Sequence, residues 1–566
     1  MATTHELIRV ARGELNADLV LRNARVVNTL AGCIEEGDVA IHGGLIAGVG
    51  HYEQARECVD LEGAFLLPGL IDGHTHIESS MLHPSRYAEA VVPRGTLTLV
   101  TDLHEIANAC GVEGIEFVVR WSHRLPIDMR FMAPSCVPAT PLETSGAELG
   151  PDAIRRLLSR PEFIGLGEVM NYPGVLAGFQ DVLDKLQAAR GRPIDGHAPG
   201  LTGADLNAYL AAGMMSDHEC TTRQEADEKL RKGMYLMLRE GSSEKNLEAL
   251  LPAVTDDTCH RCMFVVDDRT AADLAREGDI DHVVRRAMEL GMEPIRAIQL
   301  ATCNPAHYFR LFDRGAIAAG KVAHLLTVTD LRSLEIDRVY HRGVLVAQGG
   351  KPLFSCTPEP SELTDTVRLG PLTVESLRIP RRRDGFPVIE LVPGQIVTRK
   401  RIMEPAVEGE TLVSDTTRDI LKVIVVERHR GTGNIGRGFV TGFGLRRGAI
   451  ASSVGHDSHN IICVGVTDED ILGAVEALRR AQGGLAVYAD GETKAVLPLP
   501  IAGLLSPESL GHVVKVQAEV EAAARQLGTP PQSPFSLLSF LALPVIPELR
   551  VTDLGVVDVA EFRVIA

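Results

Sequence analysis

Two imidazoles one residue apart follow an apolar run in "PGLIDGHTHIESSM", residues 68–81. On an extended strand, residues two apart face the same side, so His74 and His76 can clamp one metal ion. A pair of surface histidines is the plain alternative for a bare H-x-H, and the rest of the chain decides between them. Metal-ligating residue types recur after other short apolar runs. Asp102, His104 and Glu105 follow "TLTLV", Glu168 lies in "GLGEVMN", His197 in "PIDGHA" and His218 in "MMSDHE", and Asp267 and Asp268 follow "MFVV". Any one of these is weak, because a histidine after a strand is more often a hydrogen-bonded structural residue. Four histidines and two carboxylates at consecutive strand ends instead match a two-metal hydrolytic site. One metal would take His74, His76 and the aspartate of the last run. The other would take His197 and His218, with Glu168 bridging the two.

Such residues need a scaffold that brings strand ends together. Eight candidate strands run from about Leu66 to Asp268: "FLLPGLID", "TLTLVTDL", "IDMRFMAP", "FIGLGEV", "PIDGHA", "MMSDHE", "MYLMLRE" and "MFVVDD". Helical patterns such as "GPDAIRRLLSR" and "GFQDVLDKLQAARG" separate most of them. Alternating strands and helices predict a parallel sheet, and eight units in about 250 residues is the size of a TIM barrel, whose catalytic groups come from the C-terminal strand ends. Short valine-, isoleucine- and leucine-rich segments precede the barrel ("ADLVLRNARVVNT", "GDVAIHGGLIAGVG") and follow it ("GAIAAGKVAHLLTVTDL", "VYHRGVLVAQGG"). The expected fold is α/β: a TIM-like (β/α)8 barrel over residues 66–315, a small β-sandwich from 1–65 and 316–375, and a C-terminal α+β domain over 386–566. "CTPEPSEL" and "RIPRRRDGFP" read as linker, and "GTGNIGRG" (residues 431–438) as a turn, since it lacks the ending of a phosphate loop.

Composition narrows the partners. The chain has 566 residues, more than one compact core. Its net charge of -18 and 4% aromatic content argue against a nucleic-acid partner. Ten scattered cysteines, among them one C-x-x-C, "CHRC" at 259–262, without the second pair of a zinc knuckle, fit a reduced, cytoplasmic chain. Cys110, Cys136 and Cys303 read as buried small hydrophobes. Neither a signal peptide nor a membrane span is expected. A homo-oligomer, a dimer first, is the default for such an enzyme.

"PGLIDGHTHIESS" resembles the first-strand signature of the amidohydrolase superfamily, and the β unit split around the barrel fits it. "HIESSM", "GLGEVMNYPGV" and "SSVGHDSHNI" (residues 452–461) narrow the resemblance to the adenine deaminase family over the whole chain. Many superfamily members carry a carbamylated lysine on the fourth strand. Glu168 stands there in this chain, as in adenine deaminases, and a glutamate bridge needs no carbon dioxide to assemble. One departure is His324 in "GKVAHLL", where the family usually has an aspartate. Asp267 is taken as the ligand because it comes first after "MFVV", at the strand tip, with Asp268 as a supporting or salt-bridge residue.

The resemblance implies hydrolysis of adenine to hypoxanthine and ammonia, as in purine salvage, with two divalent metal ions per chain: Mn2+ first, Fe2+ or Zn2+ as alternatives. A bridging hydroxide would attack C6, Asp267 would carry the proton to the leaving amino group, and a carboxylic acid among Glu78, Glu105 and Asp102 would protonate the ring. His104 would hold developing charge. His456, Asp457 and His459 would belong to a lid that contacts the base or a further metal ion. The competing readings are an N6-substituted adenine or another aminopurine as substrate, a cyclic-amide hydrolase of the dihydropyrimidinase or dihydroorotase type, and a scaffold that has lost its metals.

Overall fold

The sequence before the barrel folds back on itself around Ala17–Asn28. This strand pairs antiparallel with Cys33–His42 and parallel with Ala55–Asp60 and Phe65–Pro68. Cys33–His42 and Leu45–Gly50 form a hairpin. Its turn is Gly43-Gly44, both at positive φ, which glycine adopts without steric cost. Leu325–Val328, from beyond the barrel, pairs antiparallel with Phe65–Pro68 and leads through Ile336–His341 to Val344–Gln348. Strands from both sides of the barrel segment therefore share one nine-stranded sheet. An N-terminal helix, Thr4–Ala11, opens with a capping box between Thr3 and Glu6. That T-x-x-E spacing is legible in the sequence. The structure, a computed structural model, describes residues 3–359, 363–382, 385–393, 395, 397–529 and 534–566.

Nine short parallel strands carry the middle of the chain: β1 (Leu70–His76), β2 (Thr96–Asp102), β3 (Asp128–Ala133), β4 (Phe163–Val169), β5 (Ile194–Gly196), β6 (Ser216–Asp217), β7 (Tyr235–Arg239), β8 (Cys262–Val265) and β9 (Asp267–Asp268). One sheet runs in the order β5-β4-β3-β2-β1-β9 and a second in the order β6-β7-β8. The Met215 N–H donates to the Ile194 carbonyl at 2.9 Å and links the end of one sheet to the start of the other. The architecture is TIM-like, with helices between the strands. Arg223–Lys232 is one of them: Thr222 caps its start, and Gly233, at φ 106°, ends it.

Two of the eight expected strands are split. "FLLPGLID" divides at Gly69, with Phe65–Pro68 in the flanking sheet and Leu70 onward in the barrel. A Cβ on Gly69 would lie 2.9–3.0 Å from Leu97 and His324 atoms, so only glycine passes there. "MFVVDD" divides at Val266: β8 pairs with β7, and β9 then pairs with β1. The chain crosses from one sheet to the other at this break.

The C-terminal region is built on an eight-stranded sheet that includes Phe386–Leu391, Ile420–Val426, Ala449–Ser452 and Ile461–Gly465. Helices Asp468–Ala481 and Leu510–Gln526 fall on "DEDILGAVEALRRAQ" and "LGHVVKVQAEVEAAARQ", two stretches of helical pattern in the sequence. The expected linkers come out differently. Pro360, Ser361 and Glu362 of the first, and Arg383 and Asp384 of the second, lie outside the described residues. Ile379–Pro380 of the second forms a short strand with Thr411–Val413. "GTGNIGRG" is a turn only to Asn434, because Ile435–Thr441 is a strand. In that turn the Glu427 carboxylate accepts backbone N–H groups of Arg430 and Thr432 at 2.7 and 2.8 Å. A side-chain anion thus fills the cradle, and nothing is left for a phosphate. Cys136 and Cys303 are buried as expected, whereas Cys110 is only half-buried. Among the described residues no helix is long and apolar enough to cross a membrane.

Candidate metal centre

β1 is buried along its whole length, and His74 and His76 point to the same side of it. Their Nε2 atoms lie 3.2 Å apart. The Asp102 carbonyl lies 2.9 Å from His76 Nδ1, which fixes the proton there and leaves the Nε2 lone pair toward the cluster. Asp267 Oδ1 sits 3.4 Å from His74 Nε2 and 3.2 Å from His76 Nε2. Glu168, from β4, spans two groups. Its Oε1 is 3.2 Å from His76 Nε2, and its Oε2 is 2.7 Å from His197 Nδ1 and 3.2 Å from His218 Nε2. The structure therefore brings together His74, His76, Glu168, His197, His218 and Asp267. Three of their subsets, His74/His76/Glu168, His74/His218/Asp267 and Glu168/His197/His218, have ligand atoms within 4.8 Å of one another.

The backbone around these side chains is specialised. Asp267 has φ 59°, a left-handed conformation that aspartate tolerates better than most residues. The strand break at Val266 and this turn aim Asp267 at the histidines. Asp268 faces the other way, where Ser79 donates its hydroxyl to Asp268 Oδ1. Asp268, expected to be a supporting or salt-bridge residue, lines a cavity beside Ser79. Asp102 lies beneath the cluster, accepting the Glu168 N–H at 3.0 Å. A Cβ on Gly167 would come within 1.8 Å of Asp102 Oδ2, so this approach requires glycine. Arg239, at the end of β7, donates to Asp267 Oδ2 at 2.6 Å and also pairs with Glu219. Neither Arg239 nor Glu219 stood out in the sequence. The available signal was position alone, since Arg239 closes a strand that carries no proposed ligand.

The electrostatics fit cations. Burial pushes the Glu168 carboxyl up, but hydrogen bonds from His197, His218 and His76 outweigh it and hold the group well below its usual range. Burial also opposes charge on His218, yet Glu168 and Asp267 raise that imidazole to about 9. Two buried carboxylates thus demand positive charge at this point. The His74 and His218 Nδ1 atoms are buried without hydrogen-bond partners. Nitrogen and oxygen donors converging on shared points suit divalent first-row metals, so the residues present fit the metal centre that the fold implies.

A second polar group adjoins the first. His104 Nδ1 is 3.6 Å from Glu168 Oε1, and its Nε2 is 3.8 Å from both Glu105 Oε1 and Asp457 Oδ2. Glu105 receives His456 Nδ1 at 2.6 Å and also contacts His459 Nε2. The loop carrying these histidines comes from the C-terminal sheet. It is pinned by Arg428 on the His459 carbonyl, by His429 on the Ser458 carbonyl, and by Asn460 on the Thr144 carbonyl. It therefore reaches the barrel mouth. A cavity opens there, lined by Glu78, Glu105, Asp268, His456, His459 and Phe540 among others. The Phe540 ring stacks on His456 with centroids 4.7 Å apart. Glu78 Oε1 accepts the Ile106 N–H at 3.1 Å, while its buried Oε2 has no partner. Burial pushes the Glu78 carboxyl up to about 7 and the Asp457 carboxyl up to about 6. Of the residues expected to touch substrate, Asp102 and Asp457 are not among those lining this cavity. Ser79, Asp268 and Phe540 do line it and were not expected to.

Comparison with known proteins gives two family matches. Residues 65–346 match the amidohydrolase family, and residues 395–563 match the adenine deaminase C-terminal domain. An adenine deaminase of Dehalococcoides mccartyi is 55% identical over 561 residues, covering 99% of this chain and 98% of that protein. Adenine deaminase 2 of Carboxydothermus hydrogenoformans is 50% identical over 567 residues, covering 100% and 99%. An adenine deaminase of Methanothrix thermoacetophila is 49% identical over 561 residues, covering 98% of each.

Proposed function

The chain belongs to the adenine deaminase family of amidohydrolases, enzymes of hydrolytic adenine deamination, and from that premise we propose how its own side chains divide the work. It is a hydrolase of the exocyclic C–N bond of adenine. The observation that carries the assignment of roles is the convergence of four imidazoles and two carboxylates beside a cavity lined by Glu78 and Glu105.

His74, His76 and Asp267 would hold one divalent ion and His197 and His218 the other, with Glu168 shared. Bound there, the ions supply a lowered pKa for water, so that attack is possible near neutral pH. We take manganese as the first choice, with iron or zinc as alternatives, because imidazole and carboxylate donors without thiolate accept all three. We read the nine strands as one (β/α)8 barrel over residues 66–315, the split sheet as a flanking domain from 1–65 and 316–375, and residues 386–566 as a domain that supplies the loop around His456. A cytoplasmic homodimer active in purine salvage is the setting we propose.

Asp267 accepts a proton from the attacking water. Arg239 occupies its Oδ2 and keeps Oδ1 on the histidine side. As the water oxygen bonds to C6, a ring nitrogen must gain a proton. Three carboxylates were candidates for this step. Asp102 does not line the cavity, and although burial pushes the Glu105 carboxyl up, His456 and His459 beside it hold it well below its usual range. Glu78, with Oε2 unpartnered and the residue on the cavity wall, is left to donate. Asp267 then delivers its proton to the amino group, the C–N bond breaks, and ammonia leaves. The proton of the new hydroxyl returns to Glu78 as C6 becomes a carbonyl, giving hypoxanthine. Glu105, His456 and His459 hold the base, and His104 links them to Glu168.

Ammonia release, together with the ultraviolet change from adenine to hypoxanthine, tests the reaction on protein produced with manganese. Adenosine and N6-methyladenine are run beside adenine. Turnover of adenine alone is expected. Faster turnover of N6-methyladenine would reassign the substrate. A second measurement tests the acid. Glu78→Gln keeps an oxygen for the Ile106 N–H but cannot donate a carboxyl proton, so kcat is expected to fall about 10²–10⁴-fold with metal content unchanged. Wild-type kcat in Glu78→Gln, with the loss found in Glu105→Gln instead, would move the role to Glu105.

A further inference from the structure

At the opposite end of the barrel strands lies a second set of metal-ligating side chains that the deamination does not use. Asp128 opens β3, at the end far from the catalytic cluster. His341 closes the strand Ile336–His341, and His324 immediately precedes Leu325–Val328. The antiparallel register that pairs Leu325 with Tyr340 sets the two histidines side by side. Their rings stack with centroids 4.6 Å apart. His341 Nε2 is 3.2 Å from Asp128 Oδ1, and His324 Nε2 is 3.9 Å from Asp128 Oδ2. One ligand atom from each residue lies within 4.8 Å of the others.

We propose that Asp128, His324 and His341 form a structural site for a zinc-class divalent ion, which would clip the barrel floor to the flanking sheet. The observation that asks for a ligand is His324. Its ring is buried, the residue being 5% exposed, yet neither ring nitrogen has a hydrogen-bond partner. A buried polar group left unpaired is costly and calls for an explanation, and a bound ion is one. The neighbours select the ion. Arg314 and Arg342 donate to Asp128 Oδ2 at 2.8 and 2.9 Å, Arg314 also pairs with Asp313, and the half-buried Arg130 adds positive charge nearby. A carboxylate shared in this way binds hard cations such as magnesium or calcium poorly. An ion held mainly by neutral imidazoles, with Asp128 Oδ1 as third donor, is of the zinc type.

The test uses the full chain loaded with manganese and then titrated with zinc chloride, with both metals counted by elemental analysis. The wild type is expected to take up one equivalent of zinc while retaining its manganese, and to unfold at a higher temperature with zinc than without. His324→Gln and His341→Gln are each expected to bind one zinc fewer than the wild type, whatever the catalytic cluster holds, with adenine turnover unchanged. Equal zinc counts in the wild type and both variants would overturn the proposal. Zinc uptake by the wild type only with equal release of manganese would overturn it as well, and that arm decides even if a variant fails to fold.

Discussion

Asp267→Asn is expected to lower kcat for adenine by about 10²–10⁴-fold, the range supplied by a positioned proton-transfer group, while metal content stays close to that of the wild type. Asparagine keeps an oxygen where Oδ1 faces His74 and His76, and those imidazoles with Glu168 still provide donors. It cannot take a proton from water and pass it on. It also removes one of the two carboxylates paired with the buried Arg239, leaving Glu219 as the other. Elemental analysis and steady-state kinetics on the same preparation separate the effects. Asp268→Asn is the control. Its carboxylate lies on the cavity side with Ser79, so it should raise KM more than it lowers kcat. If Asp268→Asn abolished turnover and Asp267→Asn did not, the two roles would be exchanged.

Glu168→Gln is expected to reduce both metal content and turnover, the latter nearly to background. Glu168 is the one side chain in the cluster within 3.2 Å of three imidazoles, His76, His197 and His218. Its two oxygens face separate groups, so each would serve a different ion. Glutamine presents one carbonyl oxygen and one NH2 group. The NH2 group has no lone pair for a metal, and the lost negative charge leaves Asp267 alone to attract two cations. Losing a charged donor at a metal site should cost at least the roughly 10–100-fold in affinity typical of outer-shell partners. Full metal occupancy with normal activity in Glu168→Gln would remove the bridging role.

Much of this is legible in the sequence. The repeated pattern of an apolar run followed by histidine or carboxylate encodes strand ends, because a parallel barrel strand must be buried while its C-terminal tip can be polar. His74 and His76 were readable as a pair because side-chain direction on a strand has period two. Helices such as Asp468–Ala481 and Leu510–Gln526 were readable from periodicity. The loop at His456 was singled out by composition, but its contact with Glu105 joins residues 351 positions apart. No local pattern carries such a distance.

The sequence by itself determined which side chains could hold metal and on which strands they stand, since burial and alternation act residue by residue. It also determined the family, whose signatures run from His74 to His459. Only the tertiary structure decided how those groups are used. The strand break at Val266 and the left-handed turn at Asp267 separate two adjacent aspartates that sequence treats alike. Packing puts Glu78 on the cavity wall with its carboxyl pushed up by burial, whereas Asp102 lies off the cavity and Glu105 is paired with His456 and His459. Arg239 acquires its place only because β7 and β9 bring it to Asp267. Each of these depends on which partner a buried polar group finds, and that is fixed by long-range packing rather than by the local order of residues.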